Sequence, residues 1–170
     1  MSTKKVRRKD TEIESVEKDI YSGDYEASII EQWKTCVDTA NGITEKRNAA
    51  NSIFITVNTA LFAVITFSLD YRSILLSAVG IFICTLWLKL LYNYRRLNEV
   101  KYEIINEIEE LLPLAPFKAE WYRLHSQKNY TGLTKIERSL PIIFIVLYGL
   151  AILYPLLKLI LQIVCPCITK

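Results

Sequence analysis

The chain has 170 residues, 51% of them hydrophobic and 23% charged, with a net charge of +3 at neutral pH. That charge is modest and its arrangement tells more than its sum; no nucleic-acid partner is expected. The apolar residues are gathered into blocks with the charges between them, which excludes an ordinary soluble domain and points to one membrane-anchored domain.

Residues 1–23 open with Lys4, Lys5, Arg7, Arg8 and Lys9, and acidic residues follow at once at Asp10, Glu12, Glu14, Glu17 and Asp19. Without apolar periodicity this reads as a solvated tail. The sharper alternative is a juxtamembrane or nucleic-acid contact, but the acidic residues argue against a continuous basic surface. Attraction to anionic headgroups would be worth about 1 kcal/mol per basic residue near a membrane. After the break at Gly23-Asp24, Ile30, Trp33, Val37 and Ala40 recur at three- and four-residue steps, which predicts a helix. No proline separates this stripe from the apolar run Asn51–Leu69. Residues 24–69 are therefore expected to form a cytosolic helix continuing into a first span.

Asp70-Tyr71-Arg72 is long enough only for a tight turn before the second apolar run, Ser73–Leu91. Tyr94, Leu97, Lys101, Ile104 and Ile108 carry a helical stripe on toward Pro113. Residues 73–112 would then be one helix of roughly 60 Å, about half of it beyond the bilayer. The two cytosolic extensions are expected to pack as an antiparallel hairpin that buries Trp33, Val37, Leu97, Ile104 and Ile108.

Residues 113–139 read as a cytosolic connector, with Pro113 and Pro116 as stops and one or two helical turns over Glu120–His125. Trp121 and Tyr122 suit either the membrane boundary or a cap on the cytosolic hairpin. Thr134-x-x-Glu137 resembles a capping box before the third apolar run, Leu140–Val164, with Pro141 in its first turn and Gly149 and Pro155 as kink sites. This third span, 140–164, is expected to be peripheral, followed by a short tail, 165–170. The fold class is thus an all-α integral membrane protein with three transmembrane helices, the first two forming a hairpin extended by long cytosolic helices.

Lys and Arg number nine in residues 1–50, one in 70–72, nine in 89–138 and two beyond. Basic flanks stay inside, so the N-terminus is expected in the cytoplasm and the C-terminus in the periplasm or outside. The first span begins some fifty residues in and meets another span at once, unlike a cleaved signal. The expected location is the bacterial inner membrane.

Several residues carry candidate chemistry. Ser52, Thr56, Thr59, Ala63 and Thr66 lie on one face of the first span, and Ser73, Ser77, Gly80 and Cys84 on one face of the second. Small and hydroxyl residues let membrane helices approach closely. The simpler reading packs the two faces against each other, and the functional one places a face at a subunit interface or a narrow pore. Asn58 stands off the stripe about ten ångströms into the bilayer, where its amide needs a partner from another helix or protomer, and so points to a homo-oligomer. Lys89, Arg95, Arg96 and Lys101 form a basic collar that sets topology or contacts a phosphate-bearing signal or anionic lipid.

Cys165-Pro166-Cys167 offers too few ligands for a metal, and interfacial packing or reversible acylation suits it better. The spans hold no Asp or Glu, which disfavours a coupled transporter. His125 is the only histidine, and no nucleophile elbow or phosphate-binding glycine loop occurs, so neither an enzyme nor a cofactor is expected.

Arg47-Asn48-Ala49-Ala50-Asn51-Ser52-Ile53-Phe54 with Asn58-Thr59-Ala60-Leu61, Tyr94-Arg95-Arg96-Leu97-Asn98, Leu112-Pro113, Pro116-Phe117, Glu120-Trp121, Thr134-x-x-Glu137 and Pro141 form a series. Together they resemble the small bacterial integral membrane proteins of the RipR type, over roughly residues 30–155. A looser resemblance, resting on a helical hairpin with a cytosolic helix, is to the two-span effector modules called SLATT. Those modules accompany nucleotide-signalling and anti-phage systems, and the third span and acidic N-terminus depart from them. The resemblance implies a non-enzymatic membrane effector or sensor in defence against phage. The expected function is a homo-oligomeric effector that perturbs or permeabilises the membrane on a cytosolic signal, from a ligand or a soluble defence-system partner. The alternative is an anchor that recruits a soluble partner.

Overall fold

The structure, a computed structural model, describes residues 13, 15–67, 70–126 and 133–164. The basic segment Lys4–Lys9, the end of the first span at 68–69 and the Cys165-Pro166-Cys167 tail lie outside the described residues, as do the side chains of His125 and Thr134. The described residues are all-α. The elements are α1 (Tyr25–Phe67), α2 (Tyr71–Glu109), α3 (Pro116–Ser126) and α4 (Leu133–Val164). Three of them, α1, α2 and α4, are long and apolar enough to cross a membrane. The chain divides into two compact units, residues 1–45 with 94–130 and residues 46–93 with 131–170.

Local chemistry explains the helix ends. Asp24 caps α1: its carboxylate accepts from the Ala27 N–H at 3.0 Å, satisfying one of the donors a helix start leaves open. The Asp70 carbonyl receives the Ser73 N–H at 3.0 Å and the Ser73 hydroxyl at 2.7 Å, opening α2. At its far end, α2 tightens into three-residue bonds from Leu111 to Ile108 and from Leu112 to Glu109, each 3.0 Å. The helix thus stops at Glu109 and not at residue 112, because the residue before Pro113 is steered away from helical backbone. Pro116 sits in the first turn of α3, where its missing N–H costs nothing.

In the unit of residues 46–93 and 131–170, α2 turns one seam inward: Ser73, Ser77, Gly80, Cys84, Trp87 and Leu91 are all buried. The seam meets Ile65 of α1 with Tyr148 and Ala151 of α4, and Leu61, Phe62, Phe144 and Ile145 pack around them. The third apolar helix is therefore a core element and not peripheral. Pro141 lies inside α4 and is buried, since α4 starts at Leu133, not near residue 140.

In the unit of residues 1–45 and 94–130, Ala40, Ile105 and Glu109 are buried, and Trp33, Val37, Ile104 and Ile108 are half-buried. Leu97 departs from the expected stripe and is 46% exposed. The inward seam of α2 runs instead through Asn98, Ile105 and Glu109, one residue away. Asn98 fixes that rotation by donating its amide N–H to the Thr44 hydroxyl on α1 at 3.2 Å.

Candidate functional site

Three constellations stand out, two in the unit of residues 46–93 and 131–170 and one in the other unit. The first is a polar knot in the apolar core. Asn58 is fully buried, held there because α1, α2 and α4 all converge on it. Its amide N–H donates to the Phe54 carbonyl at 2.7 Å, and its side-chain oxygen accepts from the Cys84 thiol at 3.1 Å. The Tyr148 hydroxyl lies 3.1 Å from both that oxygen and the Asn58 backbone carbonyl. An amide in hydrocarbon must be satisfied internally, and Asn58 is satisfied by its own chain. It therefore does not call for a second protomer. Gly80 makes room for the knot, since a Cβ there would come within 2.7 Å of the Tyr148 ring.

At the end of the same unit toward residues 46–51, Trp87 donates its indole N–H to Asn51 at 2.8 Å. Its ring also stacks on Phe54 at 5.5 Å and 4°. Arg47 and Glu137 meet at 3.6 Å with only 12% and 14% of their side chains exposed. Arg47 Nε and Glu137 Oε2 are also buried, without a partner among the described residues. Sequence reasoning missed Tyr148, Trp87 and this ion pair. Trp87 was signalled by its place three residues beyond Cys84 on the small-residue seam. Tyr148 and the Arg47–Glu137 pair, formed across ninety residues, left no local sign.

The second constellation is the outer surface of α1. At 100° per residue, this helix has three faces. Asn51, Phe54, Asn58, Leu61, Phe62 and Ile65 fill one arc of about 100° and turn inward. Ile53, Val57, Ala60, Val64 and Phe67 fill a second arc of about 80°, all exposed. Asn48, Ser52, Thr56, Thr59, Ala63 and Thr66 fill a third of about 80°, also all exposed. The expected packing of this hydroxyl face against the α2 stripe does not occur. Ser77, Gly80 and Cys84 turn toward α4 and Asn58, while Ser52, Thr56, Thr59 and Ala63 face outward. The hydroxyls of Ser52, Thr56 and Thr66 donate back to carbonyls of their own helix at 3.1, 2.9 and 2.7 Å. Their oxygens thus remain free as outward acceptors. From Asn48 to Thr66 the strip rises about 27 Å, nearly the 30 Å thickness of a hydrocarbon core.

The third constellation is an open groove of about 810 Å³ in the unit of residues 1–45 and 94–130. Its long walls are residues 25–36 of α1 and residues 104–109 of α2 with Glu110 and Leu111 just past it, and Ile13, Ser15, Val16 and Tyr21 line one end. That end is pinned by Lys18 on Glu26 at 2.7 Å and by a bond between the Tyr21 and Ser28 hydroxyls at 2.9 Å. The hydrogen bond and charge of Glu26 hold the Lys18 ammonium above its ordinary pKa. Beside the groove, the buried Glu109 carboxylate receives the backbone N–H groups of Phe117 and Lys118, each at 3.2 Å. A residue of α2 thereby caps α3, while Phe117 packs on Trp33 and Tyr102 at 6.0 and 5.9 Å.

The basic collar is not gathered into a site. Lys89, Arg95 and Arg96 are exposed and Lys101 is half-buried. Lys89 belongs to a different unit from the other three, and Arg95 bonds Glu99 at 2.7 Å within one helical turn. Trp121 and Tyr122 are exposed on α3. These constellations offer packing, hydrogen bonding and recognition.

Comparison with known proteins adds one match. Residues 30–157 match the model of the octameric membrane protein family (8xMP). No match is found among the curated proteins or the solved structures.

Proposed function

The chain belongs to the octameric membrane protein family, and we propose on that premise that it is a non-enzymatic effector of the bacterial inner membrane, assembled from eight copies, that opens a path through the bilayer on a cytosolic signal. It is an oligomeric membrane protein, and the observation that carries the finer reading is the hydroxyl strip of α1. A helix surrounded by lipid gains nothing from a polar strip crossing the whole hydrocarbon thickness, because acyl chains offer no hydrogen bonds. Closing eight protomers into a ring gives the two exposed faces of α1 different surroundings. Ile53, Val57 and Val64 meet lipid or a neighbouring helix, and Asn48, Ser52, Thr56, Thr59 and Thr66 meet the centre.

If neighbouring α1 axes stand about 10 Å apart, the eight axes form a ring about 26 Å across. Subtracting the side-chain radius leaves a lumen of about 15 Å. A lumen lined by hydroxyls and amides, with no charge from Asn48 to Phe67, discriminates little between small ions. In this reading signal reception belongs to residues 25–45 and 94–126, and the distribution of Lys and Arg supports a cytoplasmic side for them and for the N-terminus. A trigger acts by binding the open assembly better than the closed one. The resemblance to RipR-type proteins and SLATT modules supports a role in defence against phage. The alternative role, an anchor recruiting a soluble partner, draws on the groove between α1 and α2 and needs no lumen.

Purified protein in planar bilayers tests the reading. Stepwise conductance is expected, and Ser52→Leu, Thr56→Leu and Thr59→Leu together abolish it while native mass spectrometry still finds the oligomer. Conductance that survives this replacement, or none under any trigger while a soluble protein co-purifies, overturns the pore in favour of the anchor.

A further inference from the structure

The groove of the unit formed by residues 1–45 and 94–130 has a one-sided chemistry. Ile29, Ile104, Ile108 and Leu111 make it apolar, and Glu31, Glu107 and Glu110 line it as well. Among the described residues that line it, none is Lys or Arg. Lys118 holds Glu110 at 2.8 Å. Glu107 differs, because its Oε2 is buried with no hydrogen-bond partner among the described residues. A carboxylate oxygen shielded from water and left unbonded is costly, and a cationic donor arriving from outside removes that cost.

We propose that this groove docks a cationic amphipathic segment of a partner protein. The apolar side chains of the segment settle on Ile29, Ile104, Ile108 and Leu111, and a Lys or Arg bonds Glu107 with Glu31 as the second carboxylate. This is the helix-in-groove mode of recognition. Charge complementarity selects the occupant, since a neutral or acidic helix would leave Glu107 unpaired and desolvated. A cavity of about 810 Å³ admits a short segment and not a folded domain. The proposal stands whether or not the assembly opens a pore.

Cys36 lines the groove, half-buried and with a free thiol, and reports on occupancy. Full-length protein in nanodiscs of zwitterionic lipid is alkylated with a maleimide, and modification of Cys36 is followed by mass spectrometry. The probe is an amphipathic peptide of about four helical turns with Leu on one face and Lys on the other, and the control carries Gln for every Lys. The Lys peptide is expected to slow Cys36 alkylation about tenfold and the Gln peptide less than twofold. Glu31→Gln with Glu107→Gln, in protein whose thermal midpoint is unchanged, removes most of that protection.

Equal protection by the Gln peptide overturns the proposal, as does protection that survives the double substitution. Deleting residues 2–9 provides a separate arm. If that deletion alone speeds alkylation in peptide-free protein, the chain's own basic segment fills the groove and the partner is overturned. Unchanged alkylation supports a groove open to the partner. Conductance is not part of the readout, so failure here leaves the pore untouched, and failure of the pore leaves this result standing.

Discussion

Gly80 on α2 and Tyr148 on α4 are pressed together so closely that a methyl group at position 80 would come within 2.7 Å of three carbons of the ring. The ring has nowhere to go. Its hydroxyl is tied to Asn58 at 3.1 Å, and Phe62 stands against it edge-on at 5.9 Å. Gly80→Ala is therefore expected to cost about 1–3 kcal/mol, the range for overpacking a filled core. Unfolding of the purified protein in detergent checks this, and an unchanged midpoint would show that the contact is soft.

The Asn58 knot makes a graded prediction. Tyr148→Phe removes one donor and leaves Cys84 in place, so a loss of about 0.6–1.7 kcal/mol is expected for one interhelical bond in a membrane protein. Asn58→Leu strands the Cys84 thiol and leaves the Tyr148 hydroxyl only the backbone carbonyl of residue 58, and should cost more. In the Asn58→Leu background, Tyr148→Phe should cost less than in the wild type. A double-mutant cycle measures the coupling, and strict additivity refutes it.

Arg47 and Glu137 form a pair with little access to water. Arg47→Met or Glu137→Gln alone leaves one buried polar partner uncompensated, and about 3–5 kcal/mol of destabilisation is expected. The double substitution should recover much of that loss. Equal damage from single and double variants would mean that the two side chains act independently.

Glu109 is expected to control α3. Glu109→Ala removes the acceptor for the Phe117 and Lys118 N–H groups, a capping loss of about 1–2 kcal/mol. It should be read as faster hydrogen exchange over residues 116–126 with little change over 46–67. Uniform acceleration across both segments would indicate global destabilisation instead.

The exposed strip of α1 behaves in the opposite way. Thr56→Leu or Thr59→Leu touches no intrachain contact across helices, so stability should stay within about 0.5 kcal/mol. What should change is the spread of oligomer sizes seen by native mass spectrometry, or the conductance. A large loss of thermal stability would place these residues in the folding core.

The sequence by itself determined which segments are helical and that three of them are long and apolar enough to cross a membrane, but not where each helix ends. Apolar runs of bilayer length and a polar break near Asp70 are local properties, and hydrocarbon accepts no other solution for such segments, although Tyr71 and Arg72 open α2 and do not form the expected turn. Family membership over residues 30–157 is likewise carried by the chain itself. Helix rotation and partnership were not legible in the same way. Both small-residue stripes look alike as strings, yet one is buried against Tyr148 and the other faces outward. That choice depends on which side chain of α4 arrives opposite Gly80. The same holds for the one-residue rotation, about 100°, by which Asn98, not Leu97, faces α1. Only the tertiary structure decided these points, because a helix face is assigned by what packs against it from far along the chain. That packing satisfied Asn58 from within and left the hydroxyl strip of α1 to look for a partner outside.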